Sequence, residues 1–76
     1  MSADVKEALD TVEAIEETIG SLDESAQDRG EEFFESVLDK SKSIGQTIER
    51  TNSVSDKQLA ALENMLKCVR RWVHDD

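Results

Sequence analysis

Few residues of this 76-residue chain could do chemistry. Cys68 and His74 are its single thiol and single imidazole. Six positions apart on one helix, they point about 120° away from each other, so they can neither form a nucleophile–base pair nor clasp one metal ion. Carboxylates are plentiful, yet acid–base catalysis needs one whose proton affinity is shifted by burial or by a partner. Helical spacing instead puts Glu7, Asp10, Glu13 and Glu17 on a polar side, where a solvated acidic face is expected. Nucleotide chemistry would require a glycine-rich loop whose backbone N–H groups cradle phosphates and a lysine that reaches them. Gly45-Gln46 is only an isolated glycine in a helical pattern. No catalytic residue, cofactor or metal ion is therefore expected.

Two binding features remain, both in the last part of the chain. Lys67, Arg70, Arg71 and His74 project within about 100° of one another, a surface that could meet phosphates. Against a strong nucleic-acid site, cations are favoured in the final turns of any helix, and Trp72 points roughly 150° away from the middle of the patch. Single-strand binders interleave aromatics with cations, so nucleic-acid contact is expected to be weak, salt-sensitive or indirect. The second feature is the edge formed by Ala61, Met65, Cys68 and Trp72. There a large aromatic can anchor a protein partner, with Arg70 and Arg71 supplying charge at the rim. Cys68 borders the apolar stripe and reads as a small buried residue.

The elements that position these groups are helical. The chain has no proline, three glycines and no tyrosine, and helix-favouring residues dominate it. Val5, Ala8, Val12, Ile15, Ile19 and Leu22 follow alternating steps of three and four, with Ser2 as a cap and Gly20 as a stop. The same steps run through Gly30, Phe34, Val37, Ser41, Ile44 and Ile48, with Phe33 and Leu38 at the edges. Gly30, Ser41 and Gly45 weaken that seam, but the apolar phase is unchanged across 41–45, which argues for a continuous helix there. A third start is written most fully. Ser55 is an N-cap, Gln58 can reach back to its N–H as in a capping box, and Val54 and Leu59 occupy the staple positions. Beyond it Leu59, Leu62, Met65, Leu66, Val69, Trp72 and Val73 fall within an arc of about 140°.

The expectation is one all-α domain over residues 1–76, a small antiparallel three-helix bundle with helices at about 3–19, 26–50 and 56–74. Val12, Ile15, Phe34, Val37, Ile48, Leu62, Leu66 and Val69 should form its core. No apolar run is long enough to span a bilayer, and the acidic start lacks the basic-then-apolar order of a signal peptide, so an unexported, cytoplasmic protein without membrane contact is expected. The net charge of −9 is unevenly spread. Residues 1–36 carry twelve acids against Lys6 and Arg29, a balance of −10, whereas the remainder is nearly neutral. The acidic end would repel nucleic acid and could imitate its phosphate array, occupying a basic site on another protein as a decoy.

Phe34-Glu-Ser-Val37-Leu38, followed after a spacer by Val54-Ser55-Asp-Lys57-Gln58-Leu-Ala-Ala61-Leu62, resembles a helix-turn-helix-forming pattern of bacteriophage DNA-metabolism proteins. In that pattern a short segment with Phe, Ser and Leu precedes a Ser-x-Lys-Gln-x-x-Ala-Leu helix. In length, acidic start and Trp-Val-His-Asp-Asp end, the whole chain is similar to the small proteins encoded beside the UvsW recombination and repair helicase of T-even phages. The resemblance implies an accessory protein of recombination-dependent replication and repair in the cytoplasm of the infected host cell, with the helicase as its protein partner. It implies no helicase activity for this chain, because no position here corresponds to the ATP-binding or strand-separating motifs of that neighbour.

Overall fold

A computed structural model of the chain describes residues 3–74. They form an all-α fold of four helices, α1 (Ala3–Gly20), α2 (Glu24–Arg29), α3 (Glu31–Thr51) and α4 (Asp56–His74), with no strand among the described residues. The molecule is a rod of 38 × 18 × 18 Å. The expected first cap, Ser2, lies outside the described residues.

Helix α1 is the hub. It packs on both α3 and α4, more extensively than those two pack on each other. Val5, Ala8, Ile15 and Ile19 bury its stripe against Phe34, Val37 and Ile48 of α3 and Leu62 and Val69 of α4. Two expected core residues differ. Val12 is half-buried along the groove between α1 and α3, and Leu66 is half-buried between α1 and α4. A stripe wider than the line of helix contact leaves its margins facing the crevices between neighbours, and both residues occupy such margins.

The single helix expected over 26–50 is instead two helices, and the first begins earlier. Asp23 caps α2, its Oδ1 accepting the Ala26 N–H at 2.8 Å, while the Gln27 side-chain amide donates to the Leu22 carbonyl at 2.9 Å. Gly30, at φ −106° and ψ 16°, then separates α2 from α3. The hydrogen-bond ladder crosses this break: the Gly30 N–H donates to the Ala26 carbonyl at 3.2 Å, and the Phe34 N–H donates to the Gly30 carbonyl at 2.8 Å. A close approach, rather than its backbone angles, calls for glycine at this position. A Cβ on Gly30 would stand 2.6 Å from Cε2 of Phe34, so the buried ring takes the space that any other residue would need.

Across residues 41–45 α3 is continuous, as the unbroken apolar phase predicts. Ser41 is fully buried, and its hydroxyl donates to the Leu38 carbonyl one turn back at 3.1 Å, which spares it an unsatisfied polar group. Gly45 faces Val12 but is not forced to be glycine, since a Cβ there would lie 3.5 Å from Val12 Cγ2, an ordinary contact. Asn52 ends α3 in the left-handed region at φ 52°, a conformation asparagine tolerates better than most side chains. The start of α4 follows its sequence signature. The Gln58 N–H donates to Ser55 Oγ at 3.1 Å and the Ser55 N–H donates to Gln58 Oε1 at 2.9 Å, the reciprocal pair of a capping box. Val54 and Leu59 both pack against the core.

Two pairs of substitutions test this account by urea unfolding. Gly45→Ala gains helix propensity without a clash and should raise stability by about 0.5–1 kcal/mol, whereas Gly30→Ala displaces the Phe34 ring and should lower it by about 1–3 kcal/mol. Ser55→Ala should cost about 0.5–2 kcal/mol, and Ser53→Ala, outside the box, should be near neutral. Equal effects within either pair would overturn the corresponding assignment.

Candidate functional site

The edge expected to meet a partner divides into two parts joined by α4. At one end Ala61 and Met65 line a groove with Ile44, Ser43, Lys40 and Asp39 of α3. Its floor is apolar, and one charge of each sign stands on its wall. At the other end Trp72 packs edge-on to Phe34, with ring centroids 4.9 Å apart and planes at 72°, a favourable quadrupole arrangement. Phe33 continues the cluster, its ring centroid 5.4 Å from that of Phe34. The guanidinium of Arg29 lies over Trp72, 5.7 Å from the ring centroid. Trp72 is half-buried and so belongs to both core and surface, with Phe34 packed against it and Arg29 lying over its ring.

Cys68 corrects the sequence reading: it is exposed, not buried. It lies one residue before the fully buried Val69, and about 100° of helix rotation carries its side chain outward past the line of contact with α3. Along the edge, Ala61, Met65 and Trp72 are half-buried with Cys68 exposed between the last two. Lys67, Arg70, Arg71 and His74 are all exposed on α4, away from the Phe34–Trp72 contact, as the helical angles require.

Sequence reasoning missed Arg29 and Phe33 as neighbours of Trp72. The available signal was the Phe33-Phe34 doublet, whose rings stand about 100° apart so that burying one at the centre of the stripe leaves the other at its margin, and a lone arginine within a run of acids immediately before it. Among the described residues no group of three or more His, Cys, Asp and Glu is placed to hold a metal ion, and no helix is long and apolar enough to cross a membrane. No buried side-chain nitrogen or oxygen among them lacks a hydrogen-bond partner. Compared with family models, curated proteins and solved structures, the chain matches none.

The exposure of Cys68 has a direct readout. A disulfide dye such as Ellman's reagent should titrate one thiol per folded chain without denaturant, at a rate within about ten-fold of that in urea. A thiol that reacts only after unfolding would restore the buried reading.

Proposed function

We propose that this chain is a non-catalytic helical interaction module of phage DNA recombination, replication or repair, and that it binds a protein partner through the α4 edge of Ala61, Met65, Cys68 and Trp72. The observation that carries this reading is the half-buried Trp72, a large amphipathic ring held by Phe34 on one side and by the Arg29 guanidinium on another and still partly accessible, which is the form of an interface anchor held ready before binding. Arg70 and Arg71 stand exposed on the same helix and supply rim charge that speeds encounter more than it adds affinity. The working architecture is an antiparallel bundle of three long helices, with α2 a short offset piece. Phe34 beside Trp72 and Ile44 beside Ala61 support opposed directions for α3 and α4. The phage setting and the recombination helicase as partner come from the resemblance of residues 34–38 and 54–62.

DNA contact through Lys67, Arg70, Arg71 and His74 is weak and secondary in this reading. The second reading, an acidic decoy for a basic protein site, draws on one observation: Asp4, Glu7, Asp10, Glu13, Glu16 and Glu17 of α1 are all exposed. The two readings demand opposite mutational patterns.

Titration against the UvsW-type helicase separates them. Trp72→Ala, once shown to be folded by circular dichroism, should weaken binding by about 2 kcal/mol or more, while Arg70→Ala and Arg71→Ala mainly slow association at low salt. Glu13→Lys with Glu17→Lys should change little. Loss of binding in that double variant, with the α4 variants unaffected, would establish the decoy instead. The purified chain alone should neither hydrolyse ATP nor unwind DNA, and turnover abolished by a substitution in this chain would refute the non-catalytic assignment.

A further inference from the structure

The hollow at the junction of α2 and α3 differs in make-up from the apolar-floored groove beside Ala61. Asp28, Glu31 and Glu32 line it together with Arg29, Gly30 and the rings of Phe33 and Trp72. Phe33, with 36% of its surface accessible, is the exposed large hydrophobic among the described residues. An exposed phenyl ring flanked by carboxylates is an arrangement that attracts one kind of group, a cation with a flat face. The ring's negative face draws the charge, the carboxylates offset it, and the apolar surface is covered in the process. The chain provides an internal example in the same hollow, where the Arg29 guanidinium rests 5.7 Å from the Trp72 centroid.

We propose that this hollow is the docking point for an arginine-bearing segment of a protein partner, the guanidinium stacking on Phe33 and pairing with Glu31 and Glu32. Arginine fits better than lysine because its planar fork can stack and hydrogen-bond to carboxylates at once, whereas a lysine ammonium is a compact, strongly hydrated point charge. Charge complementarity favours such a segment as well, since three carboxylates line the hollow against the single guanidinium of Arg29. The inference rests on Trp72 being part of a partner interface and adds the chemistry that the partner brings to it.

The test uses the full ¹⁵N-labelled chain and a hexa-arginine peptide as probe, at physiological salt. Binding should shift the Trp72 indole N–H and the amides of residues 28–33. Phe33→Ala, which removes an already exposed ring, should weaken binding about three-fold or more, and Glu31→Gln with Glu32→Gln about five-fold or more. Glu13→Gln with Glu16→Gln removes the same charge from α1 and should cost less than about two-fold, because screened charges outside the site contribute little. Equal losses from the two double variants would reveal diffuse attraction and overturn the proposal, as would an unmoved indole or a hexa-lysine peptide that binds as tightly. A helicase complex that needs Trp72 but tolerates Phe33→Ala and the Glu31/Glu32 pair would remove this inference while leaving the α4 interface in place.

Discussion

The Phe34 ring is the constraint on which the rest of the structure depends. One side of it lies where a Cβ of residue 30 would be, and the edge-to-face contact with Trp72 fixes α4 to the start of α3. Gly30 is thus the complement of a bulky ring one turn away, its missing Cβ leaving room for the ring, and backbone hydrogen bonds continue on both sides of it. Arg29, the last residue of α2, lies over the same tryptophan. A single aromatic side chain therefore joins three of the four helices at one end of the rod.

The features legible in the sequence are those decided locally or by periodicity. Ser55 and Gln58 satisfy each other within one turn, so their reciprocal bonds follow from residue types and spacing alone. Ile15, Ile48, Leu62 and Val69 lie deep in their stripes and are fully buried. The break at Gly30 was not legible from periodicity, because Ala26, Gly30, Phe34 and Val37 keep one apolar phase on both sides of it. A pattern of steps cannot distinguish a straight helix from one that bends and resumes in register. Cys68 lies outside the stripe and Leu66, though packed against the core, is less covered than its spacing implies, for a related reason. At the margin of a stripe, burial depends on how closely and at what angle two helices approach, which belongs to the pair and is not written in the steps of either helix.

The distribution of charge follows from the position of α1 as hub. Burying one stripe against two neighbours leaves a single outer face for all its ionisable groups, and the acids there are exposed together. The nearly neutral second half has no such segregation, and α4 carries its cations on one side and its half-buried apolar edge on another. The molecule consequently presents distinct surfaces on distinct helices: an acidic one on α1, an aromatic one where α2, α3 and α4 meet, and a cationic one along the end of α4.

The pairing of α1 with α4 also bears on how the chain folds. α1 finds its largest partner in α4, the helix farthest from it in sequence, whose innermost contacts come from Leu62 and Val69. Until those residues dock, Val5, Ala8 and Ile15 have only α3 to cover them, and a partly folded chain holds an apolar stripe on a strongly acidic segment. Repulsion among those carboxylates then opposes association of such chains through their uncovered stripes. Docking α4 on α1 closes a loop of nearly the whole described chain, so the last gain in burial carries the largest entropic cost of closure.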